Sequence, residues 1–162
     1  MRTPTSIVCA AGLLIAMSAG HADKGSMIAG RSRSVAERMR QLSQEIMACY
    51  ERRDTAALKG FYAKQPDALF FWERRMTYSW DQLDSTIDDL ARAVAEMNVT
   101  TTEFRSGGSG NTGWFAAQFH VDRVTPAGKH LSSDGRWTVI AEKINGRWLI
   151  VHEHTSFPLP ER

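Results

Sequence analysis

The sequence predicts an α+β domain in which about three helices precede a run of long antiparallel strands. Three observations point there. A closing β-hairpin is spelled out around Asn145 and Gly146, two amphipathic helical patterns lie upstream, and the order helix, helix, strand, helix, strands segregates helices from sheet. At 162 residues the chain is one domain's worth, with enough apolar residues to bury a core. The formal charge of +2 comes without any basic stripe interleaved with aromatics, so nucleic acid is not an expected partner.

Residues 1–22 read as a signal peptide. Arg2 stands near the start, the apolar run over 7–16 is too short to span a bilayer comfortably, and Gly20 and Ala22 supply the small residues of a cleavage site. Cleavage after Ala22 implies a periplasmic or secreted protein with no membrane association once the signal is removed. Cys9 leaves with the signal, so Cys49 remains alone, forms no internal disulfide, and fits its apolar helical pattern as a small packed hydrophobe. Residues 23–33 are Gly- and Ser-containing and aperiodic, as in a flexible linker. The domain is expected over 34–158, with 159–162 as a tail.

From Ser34, Val35, Met39, Leu42, Ile46, Cys49 and Tyr50 recur at three- and four-residue intervals with charged residues between them, an amphipathic helix. Asp54 caps a second, shorter helix whose buried edge is Leu58, Phe61 and Tyr62. Residues 67–72 form a short apolar strand. Ser79, with Gln82 three residues on, opens a third helix with an apolar face of Leu83, Ile87, Leu90, Ala91 and Val94, ending near Asn98. Residues 99–105 read as a strand, 106–113 as a glycine-rich loop and 114–121 as a longer strand, with Pro126 and Gly128 turning the chain into the hairpin. The glycine run has no helix N-terminus beside it to grip a phosphate, and no cofactor is expected.

In the hairpin, Asn145-Gly146 suits a two-residue type I′ turn, which sets the register. With Ile144 and Arg147 flanking the turn, Val139 pairs with His152, Thr138 with Glu153 and Trp137 with His154. One face then carries Trp137, Val139, Ala141, Trp148, Ile150, His152 and His154. The other carries Arg136, Ile140, Leu149, Val151 and Glu153, with Arg136 and Glu153 placed to form an exposed ion pair worth little.

The run Gly146-Arg147-Trp148-Leu149-Ile150-Val151-His152-Glu153-His154-Thr155-Ser156-Phe157-Pro158, preceded by Arg136-Trp137-Thr138, resembles the closing strands of SnoaL-like proteins in the NTF2-like superfamily. It is also similar to the end of the association domain of calcium/calmodulin-dependent protein kinase II. The resemblance implies a cone, a curved antiparallel sheet wrapped around the helices with an internal pocket. It implies a fold far more than an activity, because the superfamily includes isomerases, cyclases, dehydratases, transport factors and oligomerisation modules.

The aromatic face of the hairpin should be the concave one, so the expected pocket residues are Trp137, Val139, Trp148 and Ile150, with Tyr50 and Trp72 from upstream. His152 and His154, two apart on one strand, are the candidate catalytic residues, as general acid or base. A structural role, hydrogen-bonded to neighbours, is the competing reading. Zinc needs a third and usually a fourth ligand that only His120 and a few carboxylates offer, and no metal site is expected. Ile140, Leu149 and Val151 on the convex face point to a homodimer, since a sheet apolar on both faces cannot leave one of them wet. Three functions stay open: a binding domain for a small apolar or aromatic molecule without chemistry of its own, a proton-transferring isomerase, dehydratase or cyclase using a pocket histidine, and an oligomerisation module.

Overall fold

A computed structural model of the chain describes residues 24–66, 68–72, 75–77 and 79–158. The expected signal peptide at 1–22 and tail at 159–162 lie outside them. Helices α1 (Lys24–Arg52), α2 (Thr55–Lys59) and α3 (Trp80–Ala93) accompany strands β1 (Leu69–Trp72), β2 (Arg75–Thr77), β3 (Glu96–Ser109), β4 (Thr112–Val124), β5 (His130–Ile144) and β6 (Arg147–Ser156). The six strands form one curved sheet in the order β2-β1-β6-β5-β4-β3. Every pairing is antiparallel except that of β1 with β6, so the sheet is mixed rather than wholly antiparallel. The arrangement is the α+β cone that the resemblance implied.

Helix α1 buries Val35, Met39, Leu42, Ile46 and Cys49, the stripe its periodicity predicts, against β3 and β4. It lies close because Gly113 has no side chain: a Cβ there would stand 2.7 Å from Met39 Sδ. The helix begins at Lys24, inside the stretch expected to be a flexible linker. Extending an existing helix adds one hydrogen bond per residue fixed, so a segment with weak periodicity can continue a nucleus formed by a strongly periodic one. Asp54 caps α2, accepting from Ala57 N at 3.0 Å, and Ser79 caps α3, accepting from Gln82 N at 3.4 Å. Helix α3 stops at Ala93, short of Asn98, where the Arg53 guanidinium donates to Ala91 O at 2.9 Å and Ala95 O at 3.3 Å. That C-terminal cap arrives from some forty residues away, which local sequence does not announce.

The glycine-rich segment 106–113 is ladder, not loop. Strands β3 and β4 stay paired down to Ser109 and Thr112. Trp114, opposite Gly107, lays its ring where a Gly107 Cβ would go, 2.9 Å from Trp114 Cζ2, and so covers the bare backbone.

The closing hairpin holds the main correction. Asn145 and Gly146 both have positive φ, 50° and 81°, and Ile144, Lys143, Glu142 and Ala141 pair with Arg147, Trp148, Leu149 and Ile150 as the turn dictates. The register then shifts by one. Ile140 pairs with His152, Val139 with Glu153, Thr138 with His154 and Trp137 with Thr155, leaving Val151 as the extra residue of a β-bulge. Residues 61–63 grip the strand there, Ile150 N donating to Phe61 O at 2.7 Å and Ala63 N to Ile150 O at 2.9 Å. Beyond the bulge Glu153 turns into the cone. His152 and His154 turn out of it. The expected ion pair of Arg136 with Glu153 therefore does not form, and Arg136 stands opposite Ser156.

Candidate functional site

Glu153 is 1% exposed, among the most deeply buried side chains of the described residues and the only carboxylate in that core. Three elements deliver hydrogen-bond donors to it. Tyr62, just after α2, donates its hydroxyl to Oε2 at 2.7 Å, and the Trp72 indole of β1 donates to the same oxygen at 2.9 Å. Trp137 of β5 donates Nε1–H to Oε1 at 2.7 Å. The bulge makes this possible, because only the shifted register puts Glu153 on the same face as Trp137 and Val139.

Burial pushes the Glu153 carboxyl above the usual glutamate range, and the three donors, which favour the charged form, pull it only part of the way back. Burial likewise holds the Tyr62 hydroxyl well above its ordinary value, and the neighbouring Glu153 charge adds to that. Burial, and then the Glu153 charge, raise the Tyr50 hydroxyl well above its ordinary value as well.

Glu153 sits in the wall of a cavity of about 530 Å³ between α1, α3 and the sheet. Its other walls are largely apolar: Met47 from α1, Leu90 and Ala93 from α3, Met97 and Val99 from β3, Phe119 and Val121 from β4, and Phe157 beyond β6. Gly135 lets Phe119 lie in that wall, since a Cβ at 135 would stand 2.4 Å from the ring. Of the residues expected in the pocket, Tyr50, Trp72 and Trp137 line it. Val139 and Ile150 are fully buried in the core and do not line it, and Trp148 packs half-buried at the core's margin.

Neither His152 nor His154 lines the cavity. Both stand on the convex side against Phe71, with ring centroids 5.9 Å away in each case, and His154 is exposed. An imidazole there cannot reach a molecule held in the cone, so the catalytic role expected of the pair does not fit the geometry. His120, the potential third metal ligand, is on β4 with Asp134 at Nδ1 (2.8 Å), and with Ser132 (3.0 Å) and Asp122 (3.3 Å) at Nε2. The order Ser132, His120, Asp134 has the outline of a nucleophile and its base. However, none of the three lines the cavity, and the His120 and Asp134 side chains are 44% and 78% exposed.

A family model for the SnoaL-like domain matches residues 39–160. The chain belongs to the SnoaL-like family. Its fold is that of the NTF2-like superfamily, and it is similar to an NTF2-like protein from Salmonella enterica serovar Typhimurium, with a TM-score of 0.72, 18% identity, and coverage of 80% of this chain and 95% of that one. It is similar too to a candidate dehydratase of the NTF2-like family from Streptomyces avermitilis, with a TM-score of 0.71, 11% identity and coverage of 78% and 99%. A third similar structure is a candidate calcium/calmodulin-dependent protein kinase II association domain from Xanthomonas campestris, with a TM-score of 0.64, 18% identity and coverage of 75% and 85%. Comparison with curated proteins yields no match.

Sequence reasoning on this SnoaL-like domain missed Glu153 because a strict alternation from the turn put it on the outside. One signal was available: a carboxylate between two histidines on a strand otherwise rich in apolar residues leaves a choice of which polar group to bury. A single carboxylate facing three donors is better satisfied than two imidazoles among Val139, Ile150 and Trp137.

Proposed function

We propose that this SnoaL-like domain holds a small, largely apolar or aromatic molecule in the cone, with Glu153 as the polar group that orients it. The observation that carries this reading is a buried carboxyl, fixed by three donors, in the wall of a mostly apolar cavity of about 530 Å³. A carboxylate offers about four acceptor positions. Three are taken, which leaves one for a ligand hydroxyl or N–H. The test is mass spectrometry of small molecules retained after native purification of the wild type and of Glu153→Gln. The wild type should retain a compound that the variant loses, and identical retained compounds would contradict the reading.

A second reading follows from the raised Glu153 pKa. A carboxyl that holds its proton to higher pH than usual, in the wall of a mostly apolar cavity, is equipped for general acid–base work such as dehydration or isomerisation. The candidate dehydratase among the similar structures supports this reading. Glu153 then takes the role first expected of His152 or His154.

Export and dimerisation belong to the same proposal. Residues 1–22 direct the chain out of the cytoplasm, and the convex face meets a second copy. Trp114 and Ile140, cross-strand partners 43% and 37% exposed, extend the apolar surface formed by Leu149 and Val151. Ile140→Lys should lower the mass seen by light scattering from dimer to monomer. An unchanged dimer would place the interface elsewhere.

A further inference from the structure

We propose that the ligand carries a carboxylate and that Arg123 binds it where the cavity meets the surface. This rests on the reading of the cone as a binding pocket and adds the chemical class of its occupant. Arg123, near the end of β4, lines the cavity and also the shallow groove beside it formed with Asp122, Val124, His130 and Ser132. Its position is therefore the entrance. Its Nε is buried without a hydrogen-bond partner, the only such side-chain atom among the described residues.

The neighbouring acids make no ion pair with it. Asp89, in the same cavity wall, is paired with Arg92, and Asp122, in the groove, is paired with His120. Glu96 lines the outer groove and makes no ion pair with Arg123. A guanidinium stays charged at any physiological pH, and its two terminal Nη groups form a fork that matches the two oxygens of a carboxylate. An unfilled fork at the rim of apolar walls selects a planar, singly charged acid on an apolar body. A dianion would face one cation only.

The second polar group lies at the other end. Glu153 is opposite Val139, which is opposite Phe115, and Arg123 is eight residues further along β4, two strands across from β6. That offset along the sheet sets a carboxylate held by Arg123 in a different row from the buried glutamate. The ligand's apolar body runs inward along Val121 and Phe119, and any hydroxyl or N–H at its far end meets Glu153.

The test is calorimetric titration of the full-length protein with 4-phenylbutanoate, its methyl ester and 4-phenylbutylphosphonate. The acid should bind at least about ten-fold more tightly than the ester, the increment of one charge-assisted bidentate contact. Arg123→Met should bring the acid down to the ester's affinity without changing the ester's, and Arg123→Lys should restore part of the preference. Unfolding midpoints of both variants are measured alongside, and ester binding reports that the cavity is intact. Equal binding of acid and ester to the wild type, or a preference that survives Arg123→Met, overturns the assignment of Arg123 while leaving the pocket standing. A phosphonate that outbinds the carboxylate overturns the carboxylate class. Failure of all three probes to bind overturns the pocket reading along with it.

Discussion

The two halves of β6 do different work. Residues 147–150, next to the turn, send Ile150 into a dry core between Ala141 and the 61–63 segment, and nothing in that half touches the cavity. Residues 152–156, beyond the bulge, send Glu153 and Thr155 to the cavity wall and both histidines to the opposite face. One extra residue, Val151, separates a half-strand that builds the core from one that builds the site. A bulge is a means of changing what a strand faces partway along its length, without changing the composition on either side.

The sharpest way to break this comparison is to remove the carboxyl. Glu153→Ala strands the Tyr62, Trp72 and Trp137 donors, and at about 1–3 kcal/mol for each unsatisfied group the variant should lose about 3 kcal/mol or more in urea unfolding. Loss of less than about 1 kcal/mol would mean that Glu153 is not enclosed by them.

Deleting Val151 tests the bulge itself. Without it Ile140 still faces His152 and Val139 still faces Glu153, so the chain should fold, lose about 1–2 kcal/mol through the disturbed 61–63 contact, and keep Glu153 inside. If the strand were straight, the same deletion would turn Glu153 from one face to the other and abolish or create its buried environment.

Tyr62→Phe removes one donor of three. It should cost about 1 kcal/mol and raise the Glu153 pKa further, because a hydrogen bond to the charged form has been lost.

The pH dependence follows from the same group. The folded pKa of Glu153 is raised, so the folded state binds its proton more tightly than the unfolded state does. Its contribution to stability is therefore fully present below the unfolded glutamate value and is lost as pH rises through the elevated folded one. The stability of the wild type relative to Glu153→Gln should fall across that window and be level above it. A difference that rises with pH there would reverse the assignment.

The smallest effect is expected at the residues first taken as catalytic. His154→Gln, on an exposed convex position, should change stability by no more than about 0.5 kcal/mol and leave probe binding in the cavity untouched.

How much of this was legible in the sequence differs along the chain for physical reasons. Met39, Leu42 and Ile46 announce α1 because burial repeats at the helical period, and Asn145-Gly146 announces the turn because both residues tolerate positive φ. Both signals are local. The bulge at Val151 depends on 61–63 pairing with Ile150 and on donors at 62, 72 and 137 converging on Glu153, none of which leaves a mark in the spacing of β6. Tyr50, Trp72 and Trp137 are legible because large aromatic side chains with polar tips favour buried, pocket-lining positions. Arg123 and Glu153 were missed because a charged residue on a strand reads as solvent-facing until its neighbours are known.

The most direct test of Glu153 as the inward polar group is an NMR titration following its ¹³Cδ resonance together with the tryptophan indole Nε1–H signals. Glu153 should titrate above the usual glutamate range, and the Trp72 and Trp137 indoles, which donate to it, should shift with the same midpoint while the exposed Trp114 indole does not. Glu153 titrating within the usual glutamate range, or Trp72 and Trp137 indoles indifferent to its protonation, would contradict Glu153 as the inward polar group.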